Sequence, residues 1–355
     1  MIKYLQITGL NGSDRSLEFN FNNDLNLFTG LNGCGKTTIL KLLWFVNSGK
    51  ISDFLPEIDF RTLSIQSDNY NIQILNKGDV YKTVWNSKED GDEQDLPIMT
   101  DGLVRRRVVM DFNEKFYPNS ESSIFFPTFR RIEGGFSMEN RGPRFRRGAF
   151  PLKDALSDLS DELSSEKHQF IASVSTDDIT SLLNREYSSI VRDINELQRK
   201  QFDEIRKRIK NKKEQSPDKI LNSIESDIKA VEKSSEERLK PFTVLGDLIS
   251  HIFLKKGISM DSINFGDGHN LISSDKLSAG EKQMLSFLCY NTFSKNKIIF
   301  IDEPELSLHP DWQRLLIPTL LKQGNNNQFF IATHSPFIYT KYADKEIILS
   351  EDKGE

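Results

Sequence analysis

A chain of 355 residues is long enough for one large domain or two ordinary ones around a packed core. With 37% hydrophobic and 28% charged residues it is globular rather than disordered, and no apolar run approaches the ~18 residues a membrane helix needs. A net charge of −5 argues against a globally basic nucleic-acid binder but allows a local basic patch, while Cys34 and Cys289 are too few for a disulfide framework and point to a reducing cytoplasm.

Residues 1–30 read as short strands. Apolar and polar side chains alternate over 1–7, turn formers fill 9–15, and 17–21 again has period two. The start, Met1-Ile2-Lys3-Tyr4, reads as a strand and lacks a signal-peptide pattern. An apolar run over 25–29 then leads into Gly30-Leu31-Asn32-Gly33-Cys34-Gly35-Lys36-Thr37, spaced G-x-x-x-x-G-K-T, and a helical run follows from Thr38 to Trp44. Strand, loop and helix in that order make a phosphate cradle. Backbone N–H groups of Gly30, Asn32, Gly33, Cys34, Gly35 and Thr38 are candidates to face the anion, helped by the positive end of the helix dipole. Lys36 can reach the β- and γ-phosphates, and the Thr37 hydroxyl can ligate Mg²⁺. By itself this stretch predicts a nucleoside triphosphate with Mg²⁺; the motifs below narrow it to ATP with Mg²⁺.

Residues 57–112 are β-rich, with candidate strands over 61–66, 70–75 and 80–84, broken by a turn at 76–79 and an acidic loop at 88–95. A basic, aromatic stretch follows: Arg105-Arg106-Arg107, then F-P-T-F-R-R-I-E-G-G-F over 126–136, then Arg141, Arg144, Arg146 and Arg147. Its arginines could meet DNA phosphates, a DNA-mimicking protein or a nucleotide in trans, or the stretch could be a solvated loop whose phenylalanines cover the core. From 151 to 256 the chain is charged and helix-favouring. Leu183, Tyr187, Ile190, Ile194 and Leu197 fall on one helical stripe that fades at Gln201 and Glu204. That predicts a short antiparallel arm, or equally helices packed on the parent domain. Pro217 and Pro241 mark helix starts or breaks, and the basic run 199–213 reads as a solvated face. Residues 257–355 return to an α/β pattern, with helices over 277–290 and 312–321 and strands over 297–301 and 328–333. The predicted divisions are thus 1–150, 151–256 and 257–355.

Three motifs in the last division carry chemistry. In I-I-F-I-D-E-P, over 298–304, two carboxylates end a buried strand, where ligands of parallel sheets lie. Asp302 would hold Mg²⁺ opposite Thr37, and Glu303 would act as general base on the attacking water. In L-S-A-G-E-K-Q, over 277–283, Ser278, Gly280 and Glu281 open a helix that forms a second anion site. One triphosphate does not need two such helix ends. The simplest account is that this one serves a nucleotide held by a second copy, in a head-to-tail homodimer with two ATPs between the copies. In I-A-T-H-S-P, over 331–336, His334 stands at a strand end, able to bond the γ-phosphate or place the water. Glu303, His334 and Lys36 form the candidate catalytic set.

In this order the motifs resemble the ATP-binding-cassette ATPases. D-E-P-E-L-S-L-H-P with A-T-H-S-P-F is similar to their SMC-type and OLD-family branch rather than to transporter subunits. The resemblance covers residues 1 to about 50 and 275–340 and implies an α/β P-loop fold: a mixed sheet flanked by helices, an N-terminal β-subdomain and a helical insertion. The stretch 126–133 stands where transporters place a water- and metal-sensing glutamine and holds arginines with no evident glutamine, and His309 replaces their usual aspartate. OLD nucleases continue into a Toprim domain, whereas this chain stops at Glu355, so no such nuclease is expected in it. The 126–136 wording resembles ATPase subunits of two-gene anti-phage systems of the PARIS type. That resemblance implies a dimeric ATPase unit within a higher oligomer, a separate Toprim-like nuclease effector and a phage-encoded trigger. DNA is a further candidate partner, which would make the chain a repair or maintenance ATPase. An uptake or export role is the weakest fit, and no membrane partner is expected.

Overall fold

The computed structural model describes residues 1–51, 58–77, 81–87, 91–96, 115–128, 131–132, 151–174, 176–210, 217–252 and 277–350. Arg105–Arg107, Arg130 and the glycine- and arginine-rich stretch 133–147 lie outside the described residues, and only the backbone of Arg131 is described. The chain divides into two compact units, Met1–Val174 with Ser294–Glu355, and Ser175–Phe293.

The first unit begins with β1 (Ile2–Thr8), β2 (Ser16–Asn20) and β3 (Leu25–Thr29), followed by helix α1 (Lys36–Asn47). The meander β4 (Thr62–Ser67), β5 (Tyr70–Asn76), β6 (Tyr81–Ser87) and β7 (Gly91–Leu96) comes next, then β8 (Ser123–Phe126), β9 (Arg131–Ile132), α2 (Pro151–Leu163), β10 (His168–Phe170) and β11 (Ser173–Val174). Both kinds of strand direction expected for the α/β P-loop fold are present, in separate sheets. A six-stranded antiparallel sheet runs β2-β1-β4-β5-β6-β7. The acidic stretch expected to be a loop over 88–95 is instead largely strand β7, paired along β6 with Trp85 opposite Asp92. It lies at the sheet's edge, where charged residues tolerate strand geometry and discourage further pairing.

After the second unit the chain returns as β12 (Ile298–Asp302), α6 (Pro310–Lys322), β13 (Gln328–Ala332), the one-turn helix α7 (Pro336–Tyr339) and β14 (Glu346–Ile348). These strands join the others in a six-stranded sheet ordered β10-β8-β12-β13-β3-β14, parallel throughout. β3, β12 and β13 are buried at every position, which explains their unbroken apolar runs. A row of phenylalanines crosses five strands: Phe170, Phe125, Phe300, Phe330 and Phe28, with neighbouring ring centroids 5.2–6.4 Å apart. Trp44 of α1 caps one end of the row, 5.6 Å from Phe125 and 5.3 Å from Phe170. α1 is therefore fixed by aromatic packing, and with it the loop that precedes it.

The second unit holds α3 (Thr176–Lys210), α4 (Pro217–Ile252) and α5 (Ala279–Thr292), which pack on one another. Leu183 and Ile194 of the expected stripe are buried, and Tyr187 meets Phe242 of α4 edge-on at 5.6 Å. At 35 and 36 residues α3 and α4 outrun the short arm expected, because polar residues such as Gln201 continue the helix after the apolar stripe has faded. Pro217 starts α4, whereas Pro241 does not break it. Phe242, directly after that proline, packs on Phe293 at 4.8 Å, so local packing holds the helix where propensity opposes it.

Candidate nucleotide site

β3, β8, β12 and β13 all end at the same edge of the parallel sheet, and the loops beyond them bring together most of the residues singled out by the sequence. Gly30, Gly33 and Gly35 have φ of 136°, 80° and 100°. These values favour glycine, and of the loop amides that of Leu31 donates to the Ser350 hydroxyl at 2.9 Å and that of Cys34 to the Leu31 carbonyl at 3.3 Å. A Cβ at Gly30 would come 2.7 Å from the Ser350 hydroxyl, while one at Gly33 would meet nothing within 4 Å, so Gly33 borders open space in front of α1. Asn32 and Gly33 are exposed and Cys34 is half-buried. Lys36 is buried, and its Nζ donates to the carbonyls of Gly30 at 3.0 Å and Leu31 at 3.1 Å.

Asp302 is 1% exposed. Its Oδ1 accepts from the Thr37 hydroxyl at 3.0 Å, and its Oδ2 accepts from the Thr128 hydroxyl. Glu303 follows with φ 47°, in the left-handed region, and its N–H donates to Ala332 across the edge. A non-glycine residue held there costs about 1–3 kcal/mol and is found where structure serves a site. The turn leaves the Glu303 carboxylate 3.6 Å from His334 Nε2, while His334 Nδ1 is 3.5 Å from Lys36 Nζ. Both separations are at or past the limit of a hydrogen bond.

The sequence places Glu305 in the linking stretch 305–310, expected to lie across the dimer interface, and the structure gives it partners within its own chain. Its Oε2 accepts from the Thr333 hydroxyl at 2.9 Å and its Oε1 from the His334 N–H at 2.6 Å. Burial pushes this carboxyl above the usual range, against the bonds that favour its charged form. It ties the segment after β12 to the backbone that carries His334. Partners 28 and 29 residues away leave no trace in local spacing.

The donor set fits Mg²⁺. One buried carboxylate lies against hydroxyls, all hard oxygen donors, beside a cradle open toward Gly33. No cluster of three or more His, Cys, Asp or Glu able to hold a metal occurs among the described residues. None is required, since Mg²⁺ commonly takes one or two carboxylates and completes its shell with water and substrate phosphate.

Ser278, Gly280 and Glu281 belong to the second unit, at the start of α5. Ser278 is exposed, and the two side chains form a capping box: the Glu281 N–H donates to Ser278 Oγ at 3.4 Å, and the Ser278 N–H to Glu281 Oε2 at 2.7 Å. Glu281 is 4% exposed and thus shapes the helix start from within.

The family model described as "AAA domain, putative AbiEii toxin, Type IV TA system" matches residues 25–339. Among curated proteins, the chain is 38% identical over 74 residues to "Retron Ec83 probable ATPase" of Escherichia coli, covering 17% of this chain and 14% of that protein. It is 33% identical over 120 residues to "Endonuclease GajA" of Bacillus cereus (strain VD045), covering 32% and 18%. It is 32% identical over 89 residues to "Retron Vc95 probable ATPase" of Vibrio cholerae serotype O1 biovar El Tor, covering 21% and 17%. The chain spans under a fifth of the length of each of these relatives. Among solved structures, the Smc head domain from Pyrococcus furiosus, bound to the C-terminal domain of ScpA, superposes with a TM-score of 0.40 at 14% identity, over 99% of this chain and 94% of that one.

Proposed function

The chain belongs to this AAA-domain family, and from that premise we propose that it binds and hydrolyses ATP at residues 30–37, 302–303 and 334, as the regulatory subunit of a bacterial anti-phage system. The observation that carries the first part is the convergence of Lys36, Thr37, Asp302, Glu303 and His334 at one edge of the parallel sheet. ATP entering along the loop replaces the Gly30 and Leu31 carbonyls as the partner of Lys36, so the ammonium exchanges two neutral acceptors for phosphate oxygens. Thr37 and Asp302 would hold Mg²⁺, which when bound neutralises charge on the phosphate oxygens. Glu303 accepts a proton from the attacking water, and His334, between Glu303 and Lys36, fixes the far side of the γ-phosphate. Ser278 and Gly280 serve the nucleotide of a second copy, so the working unit is a homodimer, assembled into a higher oligomer.

The regulatory part draws on the relatives. Two carry the name "probable ATPase" of a retron and the third is named an endonuclease, each much longer than the stretch shared with this chain. A cassette of this type accompanying a nuclease fits an ATPase that restrains a separate effector until a phage product is sensed.

Lys36→Ala and Glu303→Gln separate the roles. The lysine variant should lose binding of a fluorescent ATP analogue. The glutamine variant should bind it and, with ATP, run as a dimer in light scattering, while hydrolysis falls on the order of 100-fold or more. Hydrolysis at the parental rate in Glu303→Gln would remove Glu303 from the mechanism.

A further inference from the structure

β8 and β12 lie side by side, with Phe126 opposite Ile301. Thr128, two residues past Phe126, and Asp302, the last residue of β12, therefore lie at the same edge of the sheet. Each oxygen of the buried Asp302 carboxylate accepts a hydroxyl, Oδ1 from Thr37 at the start of α1 and Oδ2 from Thr128 beyond β8. A carboxylate taken out of water needs such donors. A threonine hydroxyl also has lone pairs, and can turn them toward a hard cation or its waters while the carboxylate does the same. Thr37 is already assigned that behaviour. Thr128 is its counterpart on the other oxygen, in a stretch with no glutamine from 126 to 136 to serve as metal sensor.

We propose that Thr128 is a further positioning residue of the divalent-cation site, orienting Asp302 through Oδ2 and offering its hydroxyl to the ion or to one of its bound waters. This rests on the ATPase reading above. It also explains how the stretch 126–133 can lack a glutamine: a shorter side chain, already against the carboxylate, takes the position.

Two variants of the full chain test it, Thr128→Val, which keeps the shape without the hydroxyl, and Thr128→Ser, which keeps the hydroxyl. Mn²⁺ is titrated by electron paramagnetic resonance with a non-hydrolysable ATP analogue bound, and the affinity of a fluorescent ATP analogue is measured in EDTA. Thr128→Val should weaken Mn²⁺ about tenfold or more, as loss of an outer-shell partner does, with the EDTA affinity unchanged. Thr128→Ser should restore Mn²⁺ binding toward the parental value. Parental Mn²⁺ affinity in Thr128→Val, or an equal loss in Thr128→Ser, would overturn the assignment while leaving the ATPase reading intact. A parent protein that binds no nucleotide under either condition would overturn both. Thr128→Ala supplies a second hydroxyl-free comparison if the valine variant does not fold.

Discussion

Lys36 and His168 show how differently single residues reveal themselves. The role proposed for Lys36 follows from spacing and from the strand and helix around it. His168 has no motif, and its character comes entirely from its surroundings: it is 0% exposed, with Nε2 3.0 Å from the Ser120 hydroxyl and Nδ1 2.9 Å from that of Ser123. Ser120 already donates to the Tyr117 carbonyl at 2.8 Å, so it accepts from Nε2–H, and Nδ1 accepts from Ser123. Burial pushes the imidazole from its ordinary 6.5 down to about 3. A base with a depressed folded-state pKa contributes stability above its unfolded value and loses it as pH falls toward the folded one. Urea unfolding should therefore show a loss of up to about 1.4 kcal/mol per pH unit from this residue below pH ~6.5, and a His168→Asn variant should show a shallower decline. The same contrast applies around Asp302. Asp302 and Glu303 stand out as a pair at the end of an apolar run, whereas Thr128 and Glu305 acquire partners only when distant segments meet.

Among elements, legibility followed periodicity. The unbroken apolar runs of β3, β12 and β13 match strands buried at every position, whereas the period-two stretches 1–7 and 17–21 match less closely: β1 buries Ile2, Leu5 and Ile7 with a register shift between Ile2 and Tyr4, and β2 alternates half-buried with exposed residues. β7 was hidden by its composition, since an edge strand need not look apolar. The lengths of α3 and α4 were hidden for the opposite reason, because polar residues prolong a helix without marking it. Pro241 is the informative exception. It lacks the N–H that a helix interior uses, and α4 passes through it while Phe242 stays buried. Pro241→Ala restores that donor and should raise thermal stability by up to about 3 kcal/mol. A lower melting temperature in this variant would mean that the packing around Phe242 needs the bend a proline imposes.

For the whole molecule, the residues of the proposed P-loop site belong to one compact unit and the helix start proposed to act on a second copy's nucleotide belongs to the other. Purification of the native operon product, with mass spectrometry of what accompanies it, should recover a nuclease subunit. Co-purification only of a recombination-type nuclease, together with salt-sensitive duplex binding, would favour a DNA-maintenance role instead. Global stability also bears on Glu303. A left-handed backbone is easiest for glycine, so a selection for heat resistance alone should enrich Glu303→Gly and, on the catalytic role proposed for Glu303, silence hydrolysis in the same step. Laboratory evolution of this chain toward robustness would thus drift toward an inert relative unless turnover is scored alongside survival.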